Sequence, residues 1–385
     1  MNLWKLLYDF RARLSGLRVL VLQRSLGLAL LVWLASAIAA EAAVELRVGI
    51  RQGASRVRVG SSTSATVRDG SGRALGQLDA MGAFHAESGG GGLVLGQWRG
   101  GELWVEPHNG GFVWIGDRWY RGRVRLLGNA SGVTAVNYVD IEAYLYSIVG
   151  AEMVASWPLE ALRAQAVAAR SYALYQRSQA HNQLFDIGTT TLTQVYRGVS
   201  SEATTTHQAA DSTAGQVLTY DGTAILAAFH SSSGGHTEDV EDVWLTPLPY
   251  LRGVVDYDQT SPEFQWTKTF SSGDLTRRIG GVGNIQQFVP EQTTPRGRIV
   301  RAKIVGDLGT KQLSGEALRK ALGLKSTLFR VMPNGSQFYV TGRGFGHGVG
   351  LSQWGAFYLA QQGVSYQQIL GHYYQNARLV QLELK

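Results

Sequence analysis

Cysteine is absent from the 385 residues. That excludes disulfides, a thiol nucleophile and any zinc site built on thiolates. Proline is scarce, 8 residues against 48 glycines, so the chain turns mostly at glycine, as strands and tight turns do rather than a helical bundle. Charge is sparse as well, at 17% of residues, and no cluster of lysine and arginine of the nucleic-acid-binding type stands beyond the N-terminus. Nucleic acid is therefore not an expected partner. Five cations (Lys5, Arg11, Arg13, Arg18, Arg24) and one acid (Asp9) fall within residues 1–40, so that segment holds +4 of the formal +7 and leaves about +3 for the rest.

The cations of that first segment precede an apolar core from Leu26 to Ala40, with small residues at Ala37–Ala39 and Ala40–Ala42. This is the layout of a signal peptide, and an uncleaved N-terminal anchor is the other reading. Either way the remainder is expected outside the cytoplasmic membrane, exported to a periplasm or cell wall, and touching the membrane only if the signal stays on.

The hydrophobic share of 44% is that of a globular protein long enough for two domains. Residues 43–112 alternate apolar and polar positions, as in Val57-Arg-Val59 and Leu103-Trp-Val105, between glycine-rich turns. They read as a small β-rich accessory domain without acids or histidines at catalytic spacing. Trp98, Trp104, Trp114 and Trp119 either stack on sugar rings or, as tryptophans at strand period more often do, fill its core. Residues 113–385 mix helical and strand patterns, giving an α+β class.

One stretch organises that second region. An apolar run from Tyr144 to Val149 precedes Gly150 and a lone carboxylate, Glu152. Pro158 suits the first position of a helix and Glu160 its first turn. The alanine-rich segment that follows places Leu162, Ala166, Ala169 and Ala173 on a core face, and Arg163, Val167, Arg170 and Leu174 on a neighbouring stripe. An acid beside a buried helix with two cations suits a polar or anionic ligand; a solvated carboxylate and solvated arginines are the competing interpretation.

Two loops complete the pattern. A hairpin turning at Asp221-Gly222 delivers Phe229-His230 to the run Ser231-Ser-Ser233-Gly234-Gly235, and a strand at Phe338–Val340 enters Gly344-Phe-Gly346-His347-Gly348 ahead of a helix over residues 351–362. Glycines let a ligand near the backbone, while serines and N–H groups offer neutral donors suited to a carbohydrate.

These three ordered words, Glu152-Met with Ser156-Trp-Pro158 and Ala161–Ala173, Phe229–Glu238 with Asp242-Val-Trp244, and Gly344–Ala356, resemble the SpoIID/LytB family of stage II sporulation protein D and amidase-enhancer relatives. The resemblance covers roughly Val113 to Lys385. It implies a mixed SpoIID-type catalytic domain with a substrate cleft, and peptidoglycan glycan strands as the partner. For the SpoIID branch it further implies lytic transglycosylation of the linkage from N-acetylmuramic acid to N-acetylglucosamine, with a preference for strands stripped of stem peptides. Glu152 is then the expected acid/base, with Arg163 and Arg170 as anchors and Arg170 on the muramic lactyl carboxylate. Tyr172, His230, Ser233, Gly234, Gly235, Asp242, His347 and Gln353 are the other expected binding residues. Some family members bind zinc through a cysteine near the histidine-glycine loop; serines stand here, so no metal or cofactor is expected. Two other readings stay open: a protein that grips wall glycan and stimulates a separate cell-wall amidase, and a metallohydrolase, whose ligand set is incomplete.

Overall fold

The computed structural model describes residues 44–89, 92–180, 183–189, 194–244 and 246–382. The targeting segment expected at residues 1–40 lies outside them. Among the described residues no helix is long and apolar enough to cross a membrane.

Alternating side chains build two six-stranded antiparallel sheets between Glu45 and Asp140. Their inner positions, Val57 and Val59 on one sheet and Val124 and Leu126 on the other, are closed to solvent. The β region does not stop at Phe112, because the period-two pattern continues past it. Val113–Ile115 pairs with Arg56–Ser61, and Gly132–Asp140 returns to pair with the opening strand Glu45–Ala54. The accessory sheets therefore hold residues that the sequence pattern assigns to the second region.

Asp140 ends the last of these strands and caps the first helix, α1 (Ile141–Glu152), accepting the N–H groups of Glu142 and Ala143. The helix runs through Gly150, where a Cβ would sit 1.9 Å from the Ser201 carbonyl oxygen, so glycine serves close packing there. Pro158 takes the N-cap of α2 (Leu159–Gln179), one place before its expected position, with Glu160 in the first turn as expected. Small side chains let α2 lie at the centre of the core: Ala161, Leu162, Ala166, Ala169 and Ala173 are all fully buried. Packed around it are α3 (Thr204–Asp211), the Asp221-Gly222 hairpin, the short α4 (Val240–Trp244) and the last two helices of the chain. In the hairpin both Asp221 and Gly222 have positive φ, 48° and 76°, as a two-residue turn between twisted strands requires.

Residues 265–343 form a second core of two three-stranded sheets with α5 (Ser272–Ile279) and α6 (Gly315–Leu322), centred on Leu275, Ile304, Leu318 and Val340. The chain then re-enters the first core through α7 (Gln353–Gln361) and α8 (Tyr366–Tyr373). The whole is of α+β class, as the sequence indicates.

Candidate active site around Glu152

Glu152 is the last residue of α1, where the negative end of the helix dipole disfavours a carboxylate. Its Oε1 accepts the Val195 backbone N–H at 2.9 Å. Burial pushes its carboxyl up from the ordinary carboxylate range, and the Val195 N–H, the Gln353 amide and the Arg197 cation act in the opposite direction without cancelling that shift. Gln353 Nε2 also reaches Gln165 Oε1 at 3.4 Å, and the Gln165 amide nitrogen is buried with no partner among the described residues. Tyr172 lies close enough for its hydroxyl to feel the Glu152 charge. On the side of α7, Trp157, Trp354 and Phe357 form an aromatic cluster with centroids 4.8–5.3 Å apart.

The serine-glycine and histidine-glycine loops are braided together beside this group. Ser232 and Phe345 exchange backbone hydrogen bonds at 3.0 and 2.7 Å, and Phe229–His230 runs parallel to Leu351–Ser352. The Tyr172 ring lies 6.3 Å from that of Phe229, which links the acid's surroundings to the loops. His347 uses both ring nitrogens: Nε2–H donates to the Phe229 carbonyl at 2.9 Å, and Nδ1 accepts the Val349 N–H at 3.1 Å. Desolvation lowers its pKa to about 4, so the ring is neutral at physiological pH. His230 bonds the Val349 carbonyl through Nδ1 at 3.2 Å, and burial and the neighbouring His347 hold it neutral as well. The Trp244 ring covers His347 at 4.9 Å. Among the described residues no three His, Asp or Glu side chains gather as metal ligands would.

A family profile described as Stage II sporulation protein matches residues 129–220, and a second, Domain of unknown function (DUF8618), matches residues 251–350. Stage II sporulation protein D of Bacillus subtilis is 34% identical over 267 residues, covering 64% of this chain and 76% of that protein. Its namesake from Bacillus amyloliquefaciens is 35% identical, over 63% and 74% of the two chains. The chain belongs to the SpoIID family. It is also 32% identical to the Amidase enhancer of Bacillus subtilis, over 61% of this chain and 40% of that one. The SpoIID match contains Glu152 and α2, while His230 and His347 lie beyond it.

The expected binding residues of this SpoIID-family chain divide sharply. Tyr172 and Gln353 gather at Glu152. Arg170 does not. It is fully buried, with its guanidinium forked onto the Glu142 carboxylate at 2.8 and 2.5 Å and bonded to the carbonyls of Gln216 and Ala210. Arg163 faces the same way, bonded to Glu160 and Ser212. The reason is geometric: two residues along a helix is about 200° of rotation, so the Gln165/Tyr172 stripe and the Arg163/Arg170 stripe point to opposite sides. With four of its five N–H groups bonded inside the fold and the side chain closed to solvent, Arg170 is corrected from anchor to structural ion pair.

Ser233, Gly234 and Gly235 are corrected likewise. The Ser233 hydroxyl donates to Asp256 at 2.5 Å and in turn accepts the Gly235 N–H, while the Gly234 N–H donates to Asp258 at 2.8 Å. The loop's donors thus hold the loop itself rather than facing outward. Asp242 sits in α4, half-buried, its N–H bonded to the Asp239 carbonyl. Sequence reasoning missed Gln165, Val195 and Arg197. Of these only Gln165 carried a signal, standing seven residues before Tyr172 on one helical stripe.

Proposed function

We propose that this protein is a peptidoglycan lytic transglycosylase in which Glu152 acts first as acid and then as base. The observation that carries the reading is a half-buried carboxyl with a raised pKa at a helix C-terminus, on which no second carboxylate acts among the described residues. Glycosidases that use water need two carboxylates, held about 5–5.5 Å or about 6.5–9.5 Å apart. Lytic cleavage needs one. The protonated Glu152 gives its proton to the oxygen bridging N-acetylmuramic acid and N-acetylglucosamine, and that C–O bond breaks. The resulting carboxylate takes the proton of the muramic C6 hydroxyl, whose oxygen closes on C1 to give the 1,6-anhydro sugar. Gln353 and the Val195 N–H orient the carboxyl, while burial raises its pKa and so favours the protonated form that the first step requires.

The amidase-enhancer reading keeps one observation in its favour: the loop donors expected to meet sugar hydroxyls are spent within the fold. The two readings part on product chemistry. Digestion of purified denuded glycan strands by the protein alone should release anhydro-ended fragments, detected by mass. Glu152→Gln should slow this by about 10²–10⁴-fold. Equal rates for the two proteins would remove Glu152 from the chemistry. Strands retained but uncut by wild type, together with stimulation of an added amidase, would favour the enhancer.

A further inference from the structure

A cleft of about 550 Å³ opens where the loop carrying Arg197 and Ser200 meets the accessory hairpin carrying Trp114, Asp117, Arg118 and Trp119. Its walls are fixed. Gly198 packs so tightly on that hairpin that a Cβ would lie 2.0 Å from the Trp119 carbonyl oxygen. The two indoles meet edge to face at 5.1 Å, and the Trp114 Nε1–H is held by the Gly116 carbonyl at 2.9 Å. Both tryptophans are half-buried, so neither is a sealed core residue. The charges are arranged unequally: Asp117 is taken by Arg51 at 2.6 Å and lies 3.6 Å from Arg118, whereas Arg197 is exposed, and no described side chain pairs with it.

The cleft also adjoins the acid. Val195 binds the Glu152 carboxylate through its N–H, and Arg197, two residues on, both lines the cleft and acts on the Glu152 charge. Two residues of chain span at most about 7 Å. A rigid aromatic pair offers its faces to a pyranose ring, and cations beside it suit a sugar that carries a carboxylate. Two arginines set against one aspartate are too few for a phosphate polymer, which needs many cations in register.

We propose that this cleft is a second glycan subsite, binding a muramic residue of the strand outside the pair that reacts at Glu152. Trp114 and Trp119 stack on the sugar, and Arg197 meets its lactyl carboxylate. The proposal rests on the glycan-strand reading of the Glu152 site. It assigns the β sheets a role in substrate hold and explains why the two are welded together at Gly198.

The test uses the full chain in a Glu152→Gln background, immobilised, with denuded glycan strands and the N-acetylglucosamine trimer as separate probes. Adding Trp119→Ala should weaken binding of both probes about tenfold. Adding Arg197→Ala should weaken the strands by a similar factor and leave the uncharged trimer unchanged. Arg197 is exposed, so this variant decides the matter if Trp119→Ala alters the melting temperature. Strand affinity within about twofold of the parent in the Arg197 variant overturns the subsite, whatever Glu152→Gln does to cleavage. Conversely, unimpaired cutting by Glu152→Gln with strand binding lost in the Arg197 variant sinks the acid assignment and keeps the subsite.

Discussion

An ionised carboxylate at Glu152 meets a helix C-terminus, partial burial and one backbone donor, and the first two outweigh the third. The folded protein therefore holds this proton to a higher pH than the unfolded chain does. The linked stability is fully present below the ordinary carboxylate range and is lost as pH rises through the raised value. Glu152→Gln keeps an acceptor for the Val195 N–H without the charge, so it should melt higher than wild type at neutral pH, with the gap closing on acidification. A constant gap would mean that Glu152 is no more shielded than a surface acid. His347 runs the other way. Its pKa falls from 6.5 unfolded to about 4 folded, so stability is present above 6.5 and drains as pH falls towards 4. The loss should be on the order of 2 kcal/mol once the ring's partial exposure is allowed for. Melting scans of His347→Gln, which can keep both hydrogen bonds, should be flatter across that window, and an unchanged slope would exclude His347 as the source.

At the scale of the element, α2 is a two-sided device whose polar stripes serve different ends. Helical period made much of it legible, since Leu162, Ala166, Ala169 and Ala173 are buried as their spacing requires and the two arginines do share a face. Period says which residues look the same way, and not at what. The partners that capture Arg170 come from Glu142, Ala210 and Gln216, at separations of 28, 40 and 46 residues that no local pattern encodes. Serines and glycines likewise advertised a loop with free donors, but Asp256 and Asp258, beyond the recognisable word, take those donors up. Arg170→Ala should destabilise the fold by about 3–5 kcal/mol, because Glu142 loses its bidentate partner and a buried cavity opens. The double variant Arg170→Met/Glu142→Leu should recover most of that, measured by denaturant unfolding. A single variant as stable as wild type would return Arg170 to the pool of candidate ligand anchors.

At the scale of the molecule, the second core over residues 265–343 stands between the two site loops in sequence and is tied to both in space. Its Arg298, about as buried as a charge can be at 1% exposure, pairs with Glu238 at 3.3 Å and donates to the Ser233 carbonyl at 2.8 Å, while Gly348 packs against the same guanidinium. Burial lowers its pKa to about 10, which leaves it cationic at physiological pH. One inserted side chain thus fastens the serine-glycine loop to the histidine-glycine loop from behind. Removing the charge alone strands Glu238 in the interior, so Arg298→Met should lose about 3–5 kcal/mol, and Arg298→Met/Glu238→Leu should regain much of it. Regained stability would not restore the donor to the Ser233 carbonyl. Amide hydrogen exchange at residues 232–235 should therefore stay faster than wild type in the double variant while the accessory sheets keep their protection. Wild-type exchange at those amides would mean that Asp256, Asp258 and the Phe345 backbone hold the loop without Arg298, and that the inserted core has no part in shaping the site.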